Sequence, residues 1–150
     1  MKRFFVFMVI VGFIVTSLGF ANAASSADEA KAMVEKAAAF VQANGRDKAI
    51  AEFNNPKGQF VKGDLYIFAW DVNGISIANP YNQKQLGINV LELPDVDGKF
   101  YRKTAMAELM KSGSAWADYK YKNPKTGKVE QKTSYLKKVG DVIVACGAYK

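Results

Sequence analysis

The sequence has no histidine and only one cysteine. Without histidine there is no Ser-His-Asp or Cys-His catalytic pairing, and the commonest metal ligand is missing. One cysteine excludes an internal disulfide, a cysteine-rich structural zinc site and a c-type haem attachment. Cys146 lies in the apolar run from Val142 to Ala148 and reads as a small buried hydrophobe. An enzyme built from this chain would have to use lysine, tyrosine or carboxylate chemistry. No acid pair and no activated nucleophile stands out, so no enzyme is expected and no cofactor is implied. Internal repeats and low-complexity segments are also missing.

The long hydrophobic run lies at the start. Phe4 to Phe20 is almost wholly apolar, with Lys2 and Arg3 before it and Ala21-Asn22-Ala23 after it. That order is the basic region, apolar region and cleavage site of a secretory signal. An uncleaved anchor over residues 4–20 is the alternative; Thr16, Ser17 and Gly19 soften the end of the run. Residues 1–23 are read as a signal peptide, and 24–150 as one periplasmic domain long enough to bury a core without disulfides.

Loss of Lys2 and Arg3 lowers the formal net charge of +7 by two. Much of the remaining excess is local, in Lys120, Lys122, Lys125, Lys128, Lys132, Lys137 and Lys138. Lysines are mostly exposed, so most of these are expected on hairpins. Their field favours an anionic ligand or surface. Nucleic acid is not an expected partner of an exported chain.

Ser26-Ala27-Asp28-Glu29 is a capping box. Ala30, Met33, Val34, Ala37 and Val41 follow at helical spacing, which predicts a helix to about Asn44, stopped at Gly45. A shorter helix is expected from Asp47 to Phe53, broken by Asn54-Asn55-Pro56-Lys57-Gly58. Leu65 to Trp70 then reads as a strand, Asn73-Gly74 as a hairpin turn, and Ile75 to Asn79 as its partner strand. Strand alternation puts Tyr66, Phe68 and Trp70 on one face. Leu86, Ile88, Val90, Leu91 and Leu93 are too apolar for a free linker and are expected to cover the sheet.

Phe100 to Lys111 has helical spacing in Tyr101, Ala105 and Leu109, with Met106 and Met110 beside them, and Gly113 ends it. Ala115–Tyr121, Val129–Val139 and Val142–Tyr149 complete five strands, the last two joined by Gly140-Asp141. Asp95-Val96-Asp97-Gly98 resembles a calcium loop. Its register, however, puts Leu93 and Thr104 where acidic residues belong, so it reads as a turn.

Taken in order, these segments resemble a single Cache domain of the second type, a PAS-like extracytoplasmic sensor module. The resemblance rests on Asp64 to Gly74, Asn79-Pro80, Leu86-Gly87-Ile88-Asn89, Asp95-Val96-Asp97-Gly98 and Trp116-Ala117-Asp118-Tyr119. Lys132-Thr133-Ser134-Tyr135 and Gly147-Ala148-Tyr149 fit as well. It covers roughly residues 28–149. It implies an α+β fold: a five-stranded antiparallel sheet, a long N-terminal helix, and a loop-helix segment covering one face. It also implies a pocket under that segment for a small metabolite, often a short carboxylate, in a chemoreceptor or histidine kinase. Two departures stand out: Asn79 where histidine often precedes the proline, and no membrane helix or output domain after Tyr149. The expectation is a free-standing binding protein that signals through a partner.

Ligand candidates follow from register. A two-residue turn at Gly140-Asp141 pairs Val139 with Val142, Leu136 with Ala145, Ser134 with Gly147 and Lys132 with Tyr149. Lys132 and Ser134 then lie beside small residues that leave room for a carboxylate; an edge lysine and a bulged Gly147 are the alternative. Asn79 faces the aromatic side if the first hairpin has a two-residue turn. With a three-residue turn it falls opposite Ile67.

Tyr66, Phe68 and Trp70 serve either as pocket or as core. Trp116 and Tyr119 are both candidates, although alternation separates them; the family pattern favours Tyr119. Arg102 either faces solvent or clamps a carboxylate. The competing reading is an assembly module that dimerises through its alanine-rich first helix. As a test of the leader assignment, N-terminal sequencing of the exported protein is expected to begin Ala24-Ser25-Ser26.

Overall fold

The computed structural model describes residues 25–150, so the signal-peptide reading lies outside the described residues. Ser26 caps helix α1 (Ala27–Asn44): its side chain accepts from the Glu29 N–H, and the Glu29 carboxylate accepts from the Ser26 N–H. The buried stripe of α1 is Ala30, Val34, Ala37, Ala38 and Val41, one face of a 3.6-residue period. Gly45, at φ +81°, turns the chain into α2 (Arg46–Phe53).

Two short strands, β1 (Val61–Lys62) and β2 (Leu65–Tyr66), form a separate ribbon. The remaining strands are β3 (Phe68–Asp71), β4 (Ser76–Ala78), β5 (Ser114–Lys122), β6 (Val129–Val139) and β7 (Val142–Tyr149). They form one antiparallel sheet in the order β4-β3-β7-β6-β5. The α+β architecture expected from the sequence is therefore present. One correction is that the first strand is not continuous. It breaks at Ile67, whose N–H donates to Phe60 O, and β2 turns aside to pair with β1.

Helix α1 covers one face, over Leu65, Ile67, Val144, Cys146 and Ala148. Helix α3 (Tyr101–Ser112) and the loop before it cover the other, over Tyr66, Phe68, Trp70, Leu136 and Ala145. The loop is stitched to β4: Ser76 N donates to Ile88 O, Gly87 N to Ser76 O, and Val90 N to Gly74 O. Of its apolar residues Val90 is buried and Leu91 and Leu93 are packed against the core, but the side chain of Ile88 is exposed. Met110 likewise faces outward. Asp95 makes the expected turn, accepting from the N–H groups of Asp97, Lys99 and Lys120.

The β3–β4 hairpin combines the two registers that the sequence allowed. Asp71 N donates to Ile75 O across a three-residue turn, and Asp71 Oδ1 accepts from Asn73 and Ile75. Trp70 pairs with Ser76, but Ala69 pairs with Ala78. Ile77 is the extra residue of a bulge. It restores beyond itself the spacing of a two-residue turn, which brings Asn79 level with Phe68.

Gly74, at φ +85°, lies against the covering loop: a Cβ there would sit 2.6 Å from Leu91 Cδ1 and 2.8 Å from Asn89 Oδ1. Gly74→Ala is expected to destabilise the fold by about 1–3 kcal/mol through overpacking, with a further cost from the positive φ. Chemical denaturation would measure it as a lower midpoint.

Candidate functional site

Strand alternation aims Tyr66, Phe68 and Trp70 at α3, and a cavity lies between them. Ser76, Ala78 and Asn79 form its β4 side; Gln85 and Val90 come from the loop; Tyr101 and Arg102 come from the first turn of α3; Tyr119 and Tyr121 come from β5. Its empty volume is about 320 Å³ when the open mouth is counted, but only about 10 Å³ admits the centre of a water molecule. That is room for about one water. In this conformation the aromatic side chains nearly fill it.

Helix α3 supplies the polar wall. Tyr101 stacks on Tyr119 with ring centres 3.7 Å apart and planes 6° from parallel. Arg102 is only 5% exposed, so it does not face solvent. Its guanidinium lies 4.3 Å from the Tyr101 ring centre and donates to Val90 O and Leu93 O at 3.4 and 3.3 Å. Two buried polar atoms on this wall have no partner: Tyr101 Oη and Arg102 Nε. An unpaired buried donor costs on the order of 1–3 kcal/mol. None of the residues lining the cavity is acidic.

Behind the tyrosines lies Lys132, 1% exposed. Its Nζ donates to Tyr66 Oη at 3.1 Å and Tyr149 Oη at 3.3 Å. The rings of Tyr66, Tyr149, Phe68 and Tyr121 surround it at 4.2–5.6 Å. Among the described residues no carboxylate pairs with it. Burial without a counter-charge disfavours the ammonium form and lowers its pKa to about 7. Burial also pushes the Tyr66 and Tyr101 hydroxyls well above the ordinary tyrosine range.

The sequence-derived register of β6 and β7 holds at each expected pair, from Val139–Val142 to Lys132–Tyr149. What that register accommodates differs from expectation. Gly147 is not a bulge; a Cβ there would collide with Ser134 Oγ and lie 2.5 Å from Lys132 Cε. The room beside Gly147 holds Lys132 and Ser134 themselves. Ser134 bonds Tyr119 Oη at 2.8 Å. Both residues thus stand one layer behind the cavity and reach it through Tyr66 and Tyr119.

Asn79 lines the cavity, yet its Oδ1 accepts from the N–H groups of Tyr81 and Asn82, and its Nδ2 donates to Gln85 at 3.4 Å. It therefore combines the wall and turn roles left open by the sequence. Trp116 requires a correction. It pairs with Tyr135 on the α1 face, 44% exposed, with its ring 5.0 Å from that of Tyr135. Sheet alternation carries it away from the cavity. Tyr101, Tyr121, Ser76, Gln85 and Val90 also line the cavity, although none is among the ligand candidates named from the sequence. Tyr121 was legible from its shared face with Tyr119, and Tyr101 from its place on the covering helix. Gln85 sits in a loop with no period to read.

The lysine pKa has a consequence for stability. The folded state holds Lys132 near 7, whereas an unfolded lysine titrates near 10.4. Between those values the unfolded chain binds more protons, so stability from this group rises with pH, by up to about 1.4 kcal/mol per unit. Lys132→Met is expected to remove that rise. Urea unfolding at pH 7 and pH 9 would measure it as the difference between wild type and variant.

Comparison with known proteins agrees with this architecture. The chain matches the family described as Single Cache domain 2 over residues 16–150. Over 76 residues, 49% of this chain, it is 34% identical to the sensor histidine kinase MctS of Rhizobium johnstonii, and the match covers 16% of that kinase. A methyl-accepting chemotaxis protein from Vibrio parahaemolyticus superposes with a TM-score of 0.67 at 21% identity, over 81% of this chain and 86% of that one. A Cache chemosensory domain described as recognising carboxylic acid gives 0.63 at 20% identity, over 82% and 87%. At these identities the solved structures share the fold. With the family match running along most of its length, the chain belongs to the Single Cache domain 2 family.

Proposed function

We propose that this chain is the ligand-binding module of a sensory system and takes a short organic anion, a small carboxylate in the first place, into the cavity beneath α3. The observation that carries the reading is electrostatic. A buried cation, Arg102, and a buried amine, Lys132, stand at or behind a cavity with no acidic wall residue, and Arg102 Nε and Tyr101 Oη have no protein partner. A carboxylate would accept from both atoms and would supply the missing negative charge. Tyr66, Phe68 and Trp70 would enclose its short apolar part, and Asn79 and Gln85 would close the β4 side.

In this reading the wall residues part to admit the ligand, because the closed cavity holds no more than a water. The signal-like pattern of residues 1–23 supports an exported role, and the sensor histidine kinase relative supports a sensory one. The partner would be a membrane receptor or histidine kinase, and no catalytic role is assigned. No helix among the described residues is long and apolar enough to cross a membrane.

A thermal-shift screen against short carboxylates, amino acids and amines tests this. A ligand at a hundredfold excess over its Kd is expected to stabilise the fold by about 2.7 kcal/mol. The shift should be specific to an anion and lost in Arg102→Met. A well-folded protein that no compound stabilises would instead favour the assembly module, with α1 as its dimer surface.

A further inference from the structure

Lys132 does not touch the cavity directly. Its Nζ donates to the hydroxyl of Tyr66, and Tyr66 is itself a wall residue. An anion accepting from that hydroxyl would complete a chain from the amine through the phenol to the ligand. Charge on the amine and charge on the ligand are then coupled across one hydrogen-bonded group.

The surroundings make that amine the group whose protonation responds. Around it stand Tyr66 of β2, Tyr119 and Tyr121 of β5, Tyr149 of β7 and Arg102 of α3, while Asp64 of the β1–β2 turn and Cys146, on the opposite face of β7, act on it only through their fields. Burial moves Tyr66, Tyr119 and Tyr149 upward, and Cys146 up to about 12, all away from neutrality. Arg102 adds a second positive charge. Asp64 forms no ion pair with Lys132; its Oδ1 accepts from Ser25 Oγ at 2.5 Å. The sequence contains no histidine to titrate in the same range. A buried amine whose direct partners are two phenols loses its proton readily, and a nearby anion restores it.

We infer that the cavity takes up its anion together with one proton, and that Lys132 is the residue that receives the proton. The inference rests on the anion-site reading above. The step is balanced: a solvent proton joins the free amine to give the ammonium, and the anion enters with the opposite charge. The site then responds to the product of anion and proton concentrations, which is proportional to the concentration of the undissociated acid. Lys132 acts here as a positioning residue for charge, through Tyr66.

Calorimetric titration of the full chain with acetate, from pH 6 to 9 in buffers of different ionisation enthalpy, tests the coupling. The affinity is expected to be nearly flat below pH 7 and to weaken up to about tenfold per unit above it. Uptake of close to one proton is expected at pH 8. Lys132→Met should abolish both the slope and the uptake. If that variant does not fold, Tyr66→Phe, which removes the hydroxyl between amine and cavity, is expected to reduce the uptake. Acetate binding with flat affinity and no proton uptake, or a slope that survives in Lys132→Met, would overturn the inference and leave the anion site standing. No binding at pH 6 of acetate or of any other short carboxylate in the thermal-shift screen would overturn both.

Discussion

The register of the β6–β7 hairpin is the constraint on which the rest of the molecule depends. Its two-residue turn fixes every pair from Val139–Val142 to Lys132–Tyr149. Strand β7 is the middle strand of the sheet, so it also sets β3, pairing Phe68 with Ala145 and Trp70 with Ile143. A slip of one residue would send Lys132, Ser134 and Leu136 to the α1 face. The aromatic wall, the buried amine and the covering helix all inherit their positions from that turn.

Much of this was legible because the signals are local and periodic. The capping box of α1 involves residues three apart. The period of two in β6 and β7 needs only a turn to count from. The parts that were not legible depend on contacts distant in sequence. Nothing near Ile67 announces that β2 will leave the sheet; the cause is a hydrogen bond to Phe60 O and pairing with β1. The bulge at Ile77 follows from reconciling a three-residue turn with the tie between Asn54 Oδ1 and Asn79 N. Arg102 reads as exposed by residue type, and it is buried because the loop carbonyls of Val90 and Leu93 reach it.

The pair of Gly147 and Lys132 shows how a correct register can still mislead about a site. The missing side chain at Gly147 was read as space for a ligand. Protein interiors are close-packed, and a long side chain on the facing strand occupies that space. Lys132 thereby stands one layer back, and Tyr66 and Tyr119 become part of the wall that the cavity presents. The charge is set by the inner layer and the shape by the outer one.

Cys146 points the other way, under α1, fully buried and 3.7 Å from Met33 Sδ. Burial pushes its thiol up to about 12, and the nucleophilic form is the thiolate. While α1 lies on the sheet, a thiol reagent meets neither an accessible sulfur nor a reactive one. The chain therefore carries its own clock for the lifting of that helix: the labelling rate of one native atom reports how often the helical side of the domain opens.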